Sequence, residues 1–348
     1  MNINKTLIKS VSFDLSEYHC YKPKIAEFLL LRKPFLERQK EAIEIINNIM
    51  VIHGKESLLP QIVELARIEH GIRELEPWVR DHVVHAVLSF ILGIYLKNEY
   101  IEPTGKIIVN EFQWKLAGLF HDIGYPVQIA QDILNPFTDN FNKAKRKIDS
   151  SARQIYFKVT PRGLEDLTNG INGLGLIQER LDKWQLMINA REEFERMISS
   201  DKMCHGIISA LVVLNIIDAM YQKYNPRRNN SDVYRGGDLI NWSQIYFKED
   251  VVSACSAIFI HNLPERCFTK AKISRSVAPI AFLLKLADCL QDWERPSSVD
   301  EFGLSASQFG IKIDKNRLIF YAKIEEEKKD RMRKEIFLCL QAEDVKIV

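Results

Sequence analysis

Six residues of metal-ligating type stand where apolar sequence is otherwise the rule. They are His85 in RDHVVHAVLSF, the pair His121 and Asp122 in LAGLFHDIGYP, His205 in MCHGIISA, His261 in AIFIHN and Asp288 in LLKLADCL. A single histidine on an apolar face is most often a hydrogen-bonded core residue. A carboxylate is harder to accommodate there, because stripping its water costs several kcal/mol unless a cation or donors compensate. Two carboxylates recurring with four histidines in separate apolar segments share one solution, a metal centre. Imidazole nitrogen mixed with carboxylate oxygen, without thiolate, favours Mn, Fe, Co, Ni or Zn over a cysteine-rich zinc site or an all-oxygen calcium site. Six ligands exceed what one tetrahedral ion takes, and a carboxylate can bridge, so two ions are expected. Such pairs serve phosphoryl chemistry, activating a water and clamping the oxygens of an in-line displacement.

Other side chains near these motifs could touch a substrate. His82 precedes His85 by three positions and shares its helix face; it follows charged Arg80 and Asp81 near the helix start, where access to water is easier, and is read as a substrate-contacting or catalytic group. Lys285, three positions before Asp288, would neutralise phosphate in the transition state or else reach water from a helix edge. Arg80 and Arg295 flank the motif helices and would hold a distal phosphate, with structural ion pairing as the alternative. Tyr125 could order a base or a water, and Asp292, one turn beyond Asp288, reads as support or surface.

The elements that must position these groups are helices. Long apolar-rich segments run from about residue 24 to 295 with little strand-like alternation. In NEFQWKLAGLFHDIGYP, Asn110 and Gln113 have the spacing of a capping box, while Gly124 and Pro126 supply a stop, so the His-Asp pair ends a helix. Residues 135–202 are charged and punctuated by Gly and Asn, as in an insertion between core helices. Residues 222–243 form a polar loop. After Pro296, FGIKIDKNRLIFYAKI alternates apolar and polar residues as a β-hairpin, followed by a charged helix. The domains expected are a helical body over 1–306 and a small appendage over 307–348. A formal charge of +2, from 48 basic and 46 acidic residues among 348, gives no overall field toward nucleic acid or anionic membrane. The six cysteines are scattered, and the N-terminus lacks an apolar stretch of signal-peptide length. The apolar runs fall short of about 20 residues. A cytoplasmic protein with neither a membrane nor a nucleic-acid partner is expected, with homo-oligomerisation left open.

The order His85, His121 and Asp122, His205, His261, Asp288, within FHDIG, CHGIISA, IFIHN and LLKLADCLQDW, resembles the HD superfamily of metal-dependent phosphohydrolases over residues 78–296. The resemblance implies an all-α HD-domain helical bundle. It also implies that His85, His121, Asp122 and Asp288 hold one ion, that His205 and His261 hold a second, and that Asp122 bridges. Small Ala86 follows His85, as a small residue often follows the first superfamily histidine. The cofactor implied is a divalent metal, two ions of Mn, Fe, Ni, Co, Zn or Mg, whose bound hydroxide attacks phosphorus. Tyr125 stands where cyclic-dinucleotide phosphodiesterases carry lysine and deoxynucleotide triphosphohydrolases carry histidine, and Asn262 stands where some two-metal members carry a further histidine. The function expected is hydrolysis of a phosphoester or phosphoanhydride of a small nucleotide-like substrate. The alternative is a nucleotide-sensing or scaffolding protein with a structural metal centre.

Overall fold

Apolar residues at helical spacing dominate the chain, and helices form where that spacing holds. In chain order they are α1 (Ile3–Asp14), α2 (Lys22–Leu30), α3 (Phe35–Ile52), α4 (Leu59–Ile72), α5 (Val83–Leu96), α6 (Glu111–Phe120), α7 (Tyr125–Ile148), α8 (Gly173–Lys183), α9 (Ala190–Ser199), α10 (His205–Tyr224), α11 (Val252–His261), α12 (Pro279–Leu290) and α13 (Glu326–Cys339). This computed structural model describes all residues except 1, 15–21, 53, 73–80, 104, 149–150, 152, 155–157, 169, 201, 225–232, 237, 242–245, 296–299 and 301. The protein is mostly helical, as its sequence predicts, with a small sheet near the C-terminus.

Helix α5 is the axis of the body. Every residue from Val83 to Leu96 is buried, so the helix needs neighbours on all sides. Helices α1, α3, α6 and α12 supply them, and α11 packs in turn against α6, α8, α10 and α12. Full burial of side chains such as Leu88, Ile91 and Leu92 contributes about 1.5–3 kcal/mol each relative to exposure. Helices α5 and α6 meet tightly at Gly93, where a Cβ would lie 1.8 Å from Trp114 Cζ2. The indole is held there by donating Nε1–H to the Phe90 carbonyl at 3.1 Å while stacking on the Phe90 ring. In α10 the span His205–Gln222 is long and apolar enough to cross a membrane by length and composition. Of that span 67% is buried inside the protein, so its apolar side chains already have protein partners.

Asn110 caps α6 as predicted, accepting from the Gln113 N–H at 3.1 Å. Only this half of the capping box is present; the Gln113 side chain is directed to the neighbouring segment, where Nε2 donates to Glu249 O and Asp250 Oδ1. Helix α6 stops at Phe120, and after one turn α7 starts at Tyr125. Pro126 therefore opens a helix, in the first turn where its missing N–H is not needed. Helix α7 runs into the stretch read as an insertion, whose remainder contains α8 and α9.

Two strands, β1 (Val233–Gly236) and β2 (Asp238–Asn241), pair antiparallel inside the stretch read as a polar loop. Four residues per strand are too few for alternation to stand out against the turn residues around them. The C-terminal hairpin forms as predicted from β3 (Phe309–Asp314) and β4 (Arg317–Ala322), with Lys315 and Asn316 both at positive φ in its tight turn. A strand absent from the sequence reading, β5 (Val345–Ile347), returns after α13 and pairs with β4 in parallel. Three residues cannot display a period of two. The appendage rests on the body, β3 against α1 and α13 against α12.

Gly93→Ala is expected to displace the Trp114 ring and destabilise the fold by about 1–3 kcal/mol, the usual cost of overpacking. Urea denaturation followed by circular dichroism checks this, and an unchanged midpoint would show that α5 and α6 have slack at this contact.

Candidate metal centre

Helix ends supply every ligand-type side chain. His85 lies in the first turn of α5, His121 is the C-cap of α6, and Asp122 follows in the turn. His205 opens α10, His261 closes α11, and Asp288 lies in the last turn of α12. These ends can converge because Gly124 has no side chain. A Cβ there would lie 2.6 Å from both His205 O and Ser209 N, whereas the Gly124 N–H donates to Ser209 Oγ at 2.8 Å.

The structure brings all six predicted ligands together around Asp122. Asp122 Oδ1 is 3.2 Å from His205 Nε2 and 3.6 Å from His261 Nε2, while Oδ2 is 3.5 Å from His121 Nε2 and 3.8 Å from His85 Nε2. Asp288 Oδ1 is 3.0 Å from His85 Nε2 and 3.9 Å from His121 Nε2. Two groups of three result, His85 with His121 and Asp122, and Asp122 with His205 and His261. Within each group the ligand atoms lie within 4.8 Å of one another, and Asp288 adjoins the first group. Atoms bound to one ion at about 2.0–2.2 Å stand roughly 3.0–3.6 Å apart, so only small adjustments separate these groups from coordination geometry.

The hydrogen bonds of the rings decide what faces inward. Each Nδ1–H has an oxygen to donate to: Gln291 Oε1 for His85, Gly118 O at 3.1 Å for His121, Gln128 Oε1 at 2.9 Å for His205, and Ile258 O at 2.6 Å for His261. In a neutral imidazole so bonded, Nε2 carries the lone pair. Burial pushes His85 down to about 4 and also lowers His121, which favours the neutral ring. Burial raises the two carboxyls, and imidazoles carrying a proton would hold Asp122 well below, and Asp288 below, the usual carboxylate range; with the rings neutral, Nε2 lone pairs point at carboxyl oxygens instead. Acceptors therefore face acceptors. The buried Nε2 atoms of His121 and His261 have no hydrogen-bond partner. A divalent cation resolves this arrangement, and the residues present fit one.

The other predicted site residues divide. His82 is buried, against the expectation of easy access to water, because the Tyr125 ring covers it with centroids 3.6 Å apart. Its Nδ1 lies 2.7 Å from Glu69 Oε1, which also accepts the His82 backbone N–H at 2.9 Å, and Gln39 donates to Glu69 Oε2 at 3.2 Å. Burial holds His82 well below the usual histidine range. Tyr125 also meets the His205 ring edge-on at 5.8 Å. Arg295 lies near enough for its charge to act on His82, His85, Asp81 and Tyr125. Lys285 is buried with its ammonium 3.9 Å from Glu335 on α13, and Asp292 accepts from Lys328 of the same helix at 3.0 Å. Arg80 lies outside the described residues. Sequence reasoning missed Gln128, Gln291 and Glu69, which orient His205, His85 and His82. Gln291 lies three positions after Asp288, a spacing that could have flagged it, but glutamine and glutamate carry no signal of their own at this distance from a ligand.

His85→Ala is expected to lose the ion of the first group, whereas His82→Ala keeps its metal. Elemental analysis of both folded variants checks the assignment, and full metal retention by His85→Ala would transfer the role to His82. A pH effect on the metal-free protein follows from the depressed His85 value. Above about pH 6.5 the ring is neutral in folded and unfolded chains alike, so its contribution is complete. As pH falls from about 6.5 to about 4, only the unfolded chain takes up the proton. Stability is expected to decline by on the order of 3 kcal/mol over that window. Urea titrations of wild type and His85→Phe at pH 7 and pH 5 check it: the wild type should lose more. No family model matches the chain, and no curated protein or solved structure matches it either.

Proposed function

We propose that this protein is an HD-type metal-dependent phosphohydrolase acting on a phosphoester or phosphoanhydride of a small nucleotide-like substrate. The observation that carries this reading is the pair of three-ligand groups sharing the Asp122 carboxylate. Histidine and carboxylate ligands shared between neighbouring positions are the arrangement of two-ion sites for phosphoryl transfer. His85, His121, Asp122 and Asp288 would hold one ion, and Asp122, His205 and His261 the other. When bound, the ions supply Lewis-acid chemistry, acidifying a water and drawing charge from phosphate oxygens.

The chain's own residues account for the remaining tasks. Asp122 spans both groups through its two oxygens and sets their separation. His82, with Nδ1–H engaged by Glu69, presents the Nε2 lone pair as a group able to take a proton from water. Tyr125 covers His82 and excludes water from that face. Arg295, whose charge acts on these same groups, is assigned to a non-reacting phosphate of the substrate. Lys285 faces Glu335, and we assign it to the contact between α12 and α13.

The test is a screen of the metal-loaded protein against nucleoside mono- and triphosphates, cyclic nucleotides, oligonucleotides and chromogenic phosphodiesters. Turnover is expected with at least one class, falling to background on chelation and in Asp122→Ala. Asp292→Ala should remain close to wild type, since Lys328 engages that carboxylate. Tight nucleotide binding without turnover would favour the sensing role instead.

A further inference from the structure

The first fifty residues contain none of the candidate ligands, yet they reach the centre through a buried polar chain. Arg38 of α3, 3% exposed, donates from Nη2 to Glu294 Oε2 at 2.7 Å, and it also donates to the carbonyls of Phe28 and Leu31. Asn4 of α1 donates Nδ2 to Glu294 at 3.1 and 3.2 Å and accepts the indole N–H of Trp293 at 2.9 Å. Glu294, 6% exposed, is a non-glycine residue at φ 51, a left-handed conformation that costs free energy and persists only where surroundings enforce it. The peptide between Trp293 and Glu294 is clamped on both edges. Its N–H donates to Leu304 O at 2.8 Å, and its carbonyl accepts Gln291 Nε2 at 2.6 Å. The other end of that amide, Gln291 Oε1, accepts the Nδ1–H of His85.

We propose that Glu294 is a positioning residue for the first ion group: held by Arg38 and Asn4, it orients the Trp293 carbonyl, which orients Gln291, which aims His85 Nε2 at Asp122 and Asp288. Rotation about the N–Cα bond of Glu294 would swing that carbonyl away, and Gln291 would lose the partner that fixes which end of its amide faces His85. The second group takes its orientation from Gln128 and Ile258, neither of which belongs to this chain of contacts. The two ion positions therefore respond differently to Glu294. This inference rests on the metal-centre reading.

The experiment isolates one position at a time, with Mn(II) alone as the probe. His261→Ala keeps the first group, and His85→Ala keeps the second. Adding Glu294→Gln to His261→Ala should weaken Mn(II) binding about tenfold, the scale for residues that orient ligands, and Gln291→Leu should do the same. Adding Glu294→Gln to His85→Ala should leave the remaining affinity unchanged. Equal weakening in both backgrounds would mean general loosening, and no weakening in either would mean that the network does not aim His85; each overturns the proposal. Glu294→Gln leaves Arg38 buried without its counter-charge. If that protein does not fold, the double substitution Arg38→Met with Glu294→Gln removes both charges and is read in the same way. Failure of the unsubstituted protein to bind Mn(II) would overturn the metal-centre reading itself, whereas binding that ignores Glu294 overturns only this inference.

Discussion

Everything at the centre of this protein answers to one electrostatic constraint: imidazole lone pairs and two carboxylates are aimed at the same small buried space. No proton bridges the Nε2 atoms of His121 and His261 to an acceptor, and both rings spend their N–H on main-chain carbonyls behind them. Such an arrangement is unfavourable by itself, since buried charge without a partner costs several kcal/mol. It becomes favourable when a cation enters. The fold tolerates the first condition, and the groups it gathers could hold a metal ion that relieves it.

That tolerance comes from the packing around the ligands. Helix α5 is buried along its whole length, which leaves His85 no route to turn toward water, and Gly124 lets the loop carrying Asp122 settle against the start of α10. Placing the ligands at helix ends has a further consequence. Backbone carbonyls at the last turns of α6 and α11 are available to accept from the rings of His121 and His261, so the helix termini themselves choose the tautomer. His85 and His205, at the N-terminal ends of their helices, have no such carbonyl and rely on Gln291 and Gln128 instead.

The groups proposed to meet substrate follow the same logic of enclosure. His82 is kept neutral by burial and oriented by Glu69, whose own carboxyl is pushed well above the usual range by burial and by Asp81 beside it. A cluster of acids lies beneath the imidazoles, with Arg38 and Arg295 as the nearby cations. The same buried charges that orient the ligands thus tie α1, α3 and the segment after α12 to the centre, and a change in one is felt by the other.

The helical class, the six ligand candidates, the Asn110 cap and the β3–β4 hairpin were legible in the sequence, because each rests on local information. Apolar spacing marks a helix, a carboxylate in an apolar run demands compensation, and a short polar turn between alternating strands marks a hairpin. Strand β5, the β1–β2 pair and the reuse of Gln113 were not legible, since three or four residues carry no periodicity and a side-chain amide takes whichever partner tertiary packing presents. The burial of His82 was misjudged for a related reason. Its place at a helix start suggested access to water, but Tyr125, forty-three positions later, closes over the ring. Residue type and spacing alone determined that this chain carries, in helices, histidine and aspartate side chains of a type that could hold a metal. Which atoms of those residues face one another, and hence that two groups share Asp122, only the tertiary structure decided, because hydrogen bonds between distant segments set each ring's tautomer and aim.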